Sequence, residues 1–269
     1  MWSLDSWASY FRSIGGQRHE FAVQADCGQC LRSTTLAGRR RGVPMSPLPD
    51  DGPGLRAAVI ETAVAMNAAG INVNKSGNVS ARCARGSLHG FVVTPTAVPY
   101  RTLEPGDLVF VSGAGDSSGA QAPSSEWRFH RDIYAARPEF AAIVHTHSAH
   151  ATALACHGRG LPAFHYMVAS AGGEIRCAPY ATFGTQELSD HAVQALVDRR
   201  ACLLAHHGVI ACGLSLDEAL ALAIEVEHLA RMYLAACMLG EPPRLDPEEM
   251  TRVLHRFETY GAPPARKSR

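Results

Sequence analysis

Apolar residues that return every three or four positions mark two long segments of the chain as amphipathic helices. Segment 55–69 has this period and is followed by Gly70, a residue that commonly ends helices. Segment 215–239 begins with the capping box Ser215-Leu216-Asp217-Glu218 and is followed by Gly240. We expect both helices to bury their apolar stripes in the core.

Three shorter helices are predicted between these two. One begins after Ser124 and Ser125 and ends near Arg137, because Pro138 disfavours helical geometry in the residue before it. The other two cover 149–156 and 186–199.

Short apolar runs of strand length alternate with these helices. The predicted strands are 90–95, 107–112, 140–147, 162–168 and the segment 201–211, while 77–80 is interpreted as a loop. A mixed order of helices and strands predicts an α/β domain.

The amino-acid composition of residues 1–52 differs from that of the rest of the chain. Residues 1–52 accumulate Gly, Arg, Ser and Pro without a sustained period, so we expect a peripheral, poorly ordered leader, with Met45 as an alternative start. The 46% hydrophobic content of the 269 residues is enough for one sizeable core, assigned to 53–262, with 263–269 as a tail.

Charge narrows the class of partner. The 25 basic and 25 acidic residues give a net charge of zero, which argues against general binding to nucleic acid or an anionic membrane. The sequence shows neither a membrane span nor a secretory signal, so a cytoplasmic location and a small-molecule partner are expected. The eight cysteines are interpreted as free thiols. Cys27 and Cys30 form a lone CxxC without a second CxxC or a βαβ context, so a redox or zinc-binding role is not expected for this pair.

Two histidines end one of the predicted strands. Alternate residues of a strand share a face, so His145 and His147 point the same way and offer two ligands for a metal ion. A third ligand is expected from His206 or His207, of which only one can face the same metal. The ordinary alternative is that these are satisfied core histidines.

Hydroxyl and amide side chains gather at three places that suit a phosphate group. They are 77–80, 94–97 and the helix start at Ser124 and Ser125, although each alone is an ordinary turn or cap. Glu126 follows the serines and is the first candidate for a general base, against the simpler role of a helix-dipole partner.

Together these motifs resemble the class II aldolase/adducin family over about residues 55–260. The matching segments are 77–80, 94–96, Pro123 to His130, 144–147, 164–167 with 171–173, 177–184 and 206–208. The resemblance implies a three-layer α/β fold with a largely antiparallel central sheet flanked by helices. It also implies a homotetramer with active sites between subunits and one zinc ion per subunit.

By matching position, the resemblance implies His145, His147 and His207 as zinc ligands, and Glu126 as an acid/base that also approaches the metal. Tyr166 and Tyr260 match catalytic tyrosines, and Phe183 matches a residue that lines the aldehyde end. The residues implied to hold the substrate phosphate are Gly77, Asn78, Thr96, Ala97, Ser124 and Ser125.

The activity that the resemblance implies is reversible cleavage of a ketose 1-phosphate to dihydroxyacetone phosphate and a small aldehyde. L-Fuculose 1-phosphate and related deoxypentulose 1-phosphates are the expected substrates. The alternatives are a sugar-phosphate 4-epimerase, a sugar-acid phosphate decarboxylase or a non-catalytic adducin-like binding module.

Two positions depart from the family pattern. Ala97 stands where glycine is usual, and its methyl would crowd the phosphate loop unless its φ is negative. Lys75 and Ser76 replace the usual pair of small residues before Gly77.

Overall fold

The computed structural model describes residues 47–259. The leader up to residue 46, with Met45, Cys27 and Cys30, lies outside the described residues, as do Tyr260 and the tail.

A single eight-stranded sheet forms the centre of the domain, in the order β4-β3-β2-β1-β5-β8-β7-β6. Every neighbouring pair is antiparallel except β6 and β7. The strands are β1 (Asn78–Arg85), β2 (Leu88–Val93), β3 (Val109–Ser112), β4 (Ser117–Ser118), β5 (Ala142–Thr146), β6 (Cys177–Ala178), β7 (Ala201–Leu204) and β8 (Gly208–Gly213).

Helices cover both faces of this sheet. They are α1 (Pro53–Ala68), α2 (Trp127–Ala136), α3 (Ala149–Ala155), α4 (Gln186–Ala195), α5 (Leu216–Cys237) and α6 (Pro247–Thr259). Apolar residues of α1, α3, α5 and α6 form one core, and those of α2 and α4 form a second. The strands divide their side chains between the two: Val144 belongs to the first core and its neighbour Ile143 to the second. The three-layer, largely antiparallel α/β fold is therefore confirmed.

Local signals set the ends of the long helices. The Ser215 hydroxyl accepts a hydrogen bond from the Glu218 N–H at 3.1 Å, as a capping residue should. The Glu218 carboxylate accepts from the Leu214 N–H at 3.2 Å, one residue before the expected partner. Helix α1 starts with Pro53 in its first turn, where the missing N–H costs nothing.

Three local predictions were wrong. Residues 78–85 form strand β1 rather than a loop, because alternate side chains such as Val79 and Cys83 enter the first core. Within 162–168 no regular strand forms: a 3₁₀ helix, Tyr166–Ala171, occupies the end of this segment and continues to Gly172. The segment 201–211 contains β7 and the start of β8 joined by a turn at His206, whose φ is +55°. Helix α6 was not predicted at all.

The first described residues contact the end of β1 and the start of α1. The Ala84 N–H donates to the Pro49 carbonyl at 2.9 Å, and the Asp51 carboxylate pairs with Arg56 and Arg85 at 2.6 and 2.5 Å. These contacts involve residues that we assigned to the leader, and the domain boundary at residue 53 stays a prediction.

Within 47–259, no helix has the length and apolarity needed to cross a bilayer. The six cysteines of the same range are free thiols.

Candidate functional site

Three histidines converge at one end of the central strands. His145 lies in β5, between β1 and β8, and His147 follows directly after the strand. His207 lies in the turn between β7 and β8. The potential ligand atoms of the three side chains all lie within 4.8 Å of one another. The tertiary structure thus selects His207 over its exposed neighbour His206.

The hydrogen bonds of His145 prepare it to bind a cation. Its Nδ1 lies 2.8 Å from the Val209 carbonyl oxygen, which can only accept, so Nδ1 carries the proton. The Nε2 lone pair therefore faces His147, whose own Nε2 is 3.1 Å away. Burial, together with the neighbouring histidines, lowers the pKa of His147 to about 4, so this ring is neutral near pH 7. Such a cluster of nitrogen atoms needs a proton or a metal between them.

Glu126 adds a carboxylate to the cluster. Its Oε2 lies 3.2 Å from His145 Nε2 and its Oε1 lies 3.0 Å from His207 Nε2. Burial opposes the charge of this carboxyl, but positive charge on His145 and His207 outweighs burial and holds the pKa of Glu126 well below its usual range. Oε1 is buried and receives no well-aligned hydrogen bond. Three imidazoles and an unsatisfied carboxylate oxygen are a donor set that fits zinc.

Gly208 makes room for this cluster. A Cβ at this position would lie 2.3 Å from the Thr146 carbonyl oxygen and 2.9 Å from His147 Cδ2. Strand β5, with His145 and the following His147, can therefore approach β8 only because residue 208 has no side chain.

We expect Gly208→Ala to lower the free energy of unfolding by about 1–3 kcal/mol, because the methyl group overpacks the site. It should also weaken metal binding, since His147 must move. Thermal unfolding and metal analysis would measure both effects. Gly106→Ala is the control, because a Cβ there meets nothing within 4 Å. Equal behaviour of the two variants would contradict the packing argument.

The segments expected to hold phosphate lie side by side next to the histidines. The Ser124 N–H donates to the Thr94 carbonyl and the Thr94 N–H to the Val79 carbonyl, both at 3.1 Å. Gly77 packs against β5, where a Cβ would lie 2.3 Å from the His145 carbonyl oxygen. The side chains of Thr96 and Ser125 belong to exposed residues, so solvent or a ligand can reach them.

Two residues of the expected phosphate site, Ser124 and Asn78, make hydrogen bonds to Glu126. The buried Ser124 hydroxyl accepts from the Glu126 N–H at 3.3 Å. The Asn78 Nδ2 donates to Glu126 Oε2 at 2.9 Å, while its Oδ1 lies 2.5 Å from His130 Nε2. Asn78 therefore contacts the carboxylate in addition to any role toward phosphate.

The two departures from the family pattern contact each other. Ala97 has a φ of +62°, a left-handed conformation that costs an L-residue about 1–2 kcal/mol. The Lys75 Nζ donates to the Ala97 carbonyl at 2.7 Å.

We expect Ala97→Gly to raise the free energy of unfolding by up to about 1 kcal/mol, because glycine relieves the strain but adds freedom to the unfolded chain. Thermal or denaturant unfolding would measure this change. Ala69→Gly is the matched control: Ala69 is exposed with a φ of −73°, so glycine should destabilise the protein there. A loss of stability in both variants would exclude strain at Ala97.

The aromatic candidates lie on the surface. Tyr166 begins the 3₁₀ helix, is 50% exposed, and contacts the His165 ring at a centroid distance of 4.8 Å. Phe183 is 65% exposed. Its neighbour Gly184 lies against Ser125, because a Cβ there would be 2.8 Å from the Ser125 carbonyl oxygen. This contact places Phe183 beside the serine segment.

The sequence analysis missed His130. This residue is completely buried and makes hydrogen bonds with Asn78 and Ser80. Its spacing from Glu126 could have indicated a role, because residues 126 and 130 are one helical turn apart and share a face of the predicted helix. The partner Ser80 was hidden by the assignment of 77–80 to a loop.

Comparison with known protein sequences identifies the family of this chain. The family profile for the class II aldolase and adducin N-terminal domain matches residues 57–234. The 5-methylthioribulose-1-phosphate/5-deoxyribulose-1-phosphate aldolase of Rhodospirillum rubrum is 50% identical over 208 residues, which cover 77% of this chain and 92% of the relative. The L-fuculose phosphate aldolase of Escherichia coli K12 is 48% identical over 205 residues, covering 76% of this chain and 94% of the relative.

A solved structure leads to the same family. The structure of an L-fuculose 1-phosphate aldolase superposes with a TM-score of 0.74 at 35% identity and covers 77% of this chain and 97% of its own. The sequence profile, the relatives and the fold agree with one another. The chain is a lyase that belongs to the class II aldolase and adducin family.

Proposed function

We propose that this enzyme is a zinc-dependent aldolase that reversibly cleaves a ketose 1-phosphate to dihydroxyacetone phosphate and a small aldehyde. The observation that carries the proposal is the convergence of three histidines and a buried carboxylate next to a hydroxyl-lined segment. An adducin-like binding module would have no need for such a donor set.

His145, His147 and His207 would hold the zinc ion, with Glu126 close enough to share it when substrate is absent. When bound, zinc supplies a Lewis acid that stabilises negative charge developing on the substrate oxygens. The Val209 carbonyl keeps the His145 ring in the tautomer that this role requires.

Glu126 is the residue proposed to move a proton at carbon. In the direction of bond formation, its carboxylate removes a proton from the hydroxymethyl carbon of dihydroxyacetone phosphate. The electron pair left behind forms the new carbon–carbon bond, and the aldehyde oxygen takes up a proton. Cleavage is the same sequence reversed. A glutamate carboxyl is ionised near pH 7, as a base must be.

The phosphate is assigned to Gly77, Asn78, Thr96, Ala97, Ser124 and Ser125. Backbone N–H groups and hydroxyls that precede a helix suit an anion without requiring a lysine. A phosphate held there would fix the ketose in register with Glu126, so that binding energy serves orientation.

Tyr166 is proposed to donate a proton to the aldehyde oxygen in the active site of a neighbouring subunit, with Phe183 and Tyr260 lining the aldehyde end. The support is that Tyr166, Phe183 and Tyr180 are all at least half exposed in the single chain. Large exposed aromatic residues are typical of surfaces that a partner covers. We therefore propose a homotetramer with active sites between subunits.

The two kinds of named relative suggest the substrate. One kind is named for L-fuculose phosphate and the other for 5-methylthioribulose 1-phosphate and 5-deoxyribulose 1-phosphate. We propose L-fuculose 1-phosphate or a deoxypentulose 1-phosphate for this enzyme.

The test is cleavage of L-fuculose 1-phosphate and 5-deoxyribulose 1-phosphate side by side, with release of dihydroxyacetone phosphate coupled to oxidation of NADH. We expect release that is lost on chelation and restored by zinc. The ratio of kcat/KM for the two ketoses would then rank the aldehydes. Absence of release from either ketose by zinc-loaded protein would contradict the proposal.

A further inference from the structure

Glu126 Oε2 is one end of a continuous chain of buried hydrogen bonds. Asn78 Nδ2 donates to it at 2.9 Å, and Asn78 Oδ1 is 2.5 Å from His130 Nε2. His130 Nδ1 is 2.7 Å from Ser80 Oγ, which is 2.8 Å from the Tyr134 hydroxyl. We call Asn78, His130, Ser80 and Tyr134 the buried relay; none of the four is more than 4% exposed.

The Glu126 carboxylate determines which atom donates in each hydrogen bond between Glu126 and Ser80. A carboxylate only accepts, so Asn78 must turn its Nδ2 toward Glu126 and its Oδ1 toward His130. His130 Nε2 therefore carries the ring proton, and His130 Nδ1 accepts from the Ser80 hydroxyl. The Tyr134 hydroxyl lies 2.8 Å from Ser80 Oγ and 3.2 Å from the Ser80 carbonyl oxygen, and it can donate to either. Every bond from Ser80 through His130 and Asn78 thus donates toward Glu126, and such aligned bonds strengthen one another.

Packing holds the central ring in place. The His130 ring stacks on Phe129 at a centroid distance of 4.6 Å and faces Phe91 at 6.1 Å. Burial lowers the pKa of His130 to about 3, so the ring stays neutral and keeps one donor and one acceptor. Burial also raises the pKa of Tyr134, which keeps the hydroxyl proton at the far end of the relay.

We propose that His130 is a positioning residue for the proton transfer by Glu126, and that it acts by fixing the orientation of the Asn78 amide. A reversed Asn78 would direct its oxygen at the Glu126 carboxylate, which would repel the charge and turn the carboxylate away from the substrate carbon. The inference rests on the proposed role of Glu126 as the acid/base residue.

A purely structural role would have a different signature. Loss of a structural hydrogen bond lowers stability and leaves the kinetics of the surviving folded enzyme unchanged. Loss of the relay lowers kcat while the metal content stays the same, because the side-chain hydrogen bonds of His130 join it to Asn78 and Ser80 and not to the three histidines of the cluster.

The experiment compares Ser80→Ala, His130→Leu and His130→Gln in the full-length, zinc-loaded enzyme. We expect kcat to fall about 10- to 100-fold in His130→Leu, as is typical when the hydrogen-bond partner of a site residue is lost. His130→Gln should recover part of this loss, because the Gln side-chain amide can still donate to Asn78 Oδ1. Unchanged kcat in folded His130→Leu would overturn the proposal.

Ser80→Ala is the milder test, since it removes only the donor to His130 Nδ1. Its matched control is Ser189→Ala: Ser189 is as completely buried as Ser80 and donates to Asp132 at 2.7 Å, outside the relay. We expect a fall in kcat for Ser80→Ala alone. Equal kcat in the two variants would count against the relay, including in the case that His130→Leu fails to fold.

A second readout does not depend on catalysis. Nitrogen-15 NMR of histidine-labelled protein should show His130 as the Nε2–H tautomer throughout the neutral pH range. A predominant Nδ1–H tautomer in the wild-type protein would overturn the proposal. If the wild-type protein cleaved no ketose phosphate, the proposed function would fail, and the NMR result would still decide whether the relay has the stated direction.

Discussion

Replacement of His147 by alanine is expected to remove the bound metal and to lower kcat by about a thousandfold or more. The magnitude follows because Lewis-acid stabilisation contributes several kcal/mol, and each 1.4 kcal/mol corresponds to a factor of about ten in rate. His147 is the best of the three histidines to replace. It lies just beyond β5 and is partly exposed, whereas His145 is completely buried beside Phe129.

Metal analysis and the coupled cleavage assay would measure this effect together. Added zinc should raise the midpoint of thermal unfolding of the wild-type protein and leave that of His147→Ala unchanged, because only the folded wild type would bind the ion. His157→Ala is the control, since His157 is an exposed histidine after α3. Full activity with metal retained in His147→Ala would refute the ligand set.

Glu126→Gln is expected to retain the metal but to lower the rate of proton exchange at carbon by about 10²- to 10⁴-fold. Glutamine has nearly the shape of glutamate, and its Oε1 can still accept from Asn78. The three histidines remain to hold the ion. Exchange of the hydroxymethyl hydrogen of dihydroxyacetone phosphate with deuterium, followed by proton NMR, isolates this step from cleavage.

Glu227→Gln is the matched control for Glu126→Gln. The Glu227 carboxylate is partly buried and, like that of Glu126, lies beside a histidine; it accepts hydrogen bonds from His150 and from the Ala151 N–H at 2.7 and 3.0 Å. Its replacement should lower stability and leave the exchange rate unchanged. Exchange at the wild-type rate in Glu126→Gln would mean that another group is the base.

Local patterns in the sequence were sufficient for most helices. Helix α5 begins at Leu216 after the predicted cap Ser215, and α2 ends at Ala136, next to the predicted end at Arg137. Caps, prolines and helical periods act within a few residues, so they can be recognised without knowledge of the fold. The same holds for the shared face of His145 and His147, which follows from the alternation of a strand.

Strand β1 and the hairpin of β7 and β8 were missed because they depend on strand pairing and not on a local pattern. Gly77, Asn78 and Ser80 are residues typical of turns, and only pairing with β2 and β5 makes 78–85 a strand. The run 201–211 is apolar throughout, so its period gave no sign of the turn at His206. Strand pairing joins residues that are far apart in sequence, and local propensity therefore does not decide it.

The sequence by itself determined the family, the type of domain and the two histidines that share a strand face. The strand pattern left His206 and His207 open and the family resemblance implied His207; the tertiary structure gives the physical reason, because a left-handed turn at residue 206 brings the His207 side chain to the cluster. The tertiary structure alone decided that the Asn78 amide donates a hydrogen bond to Glu126 and that His130 contacts the oxygen of the same amide. These contacts join residues 48 or more positions apart along the chain, and only the packing of β1 against α2 brings their atoms within hydrogen-bond distance.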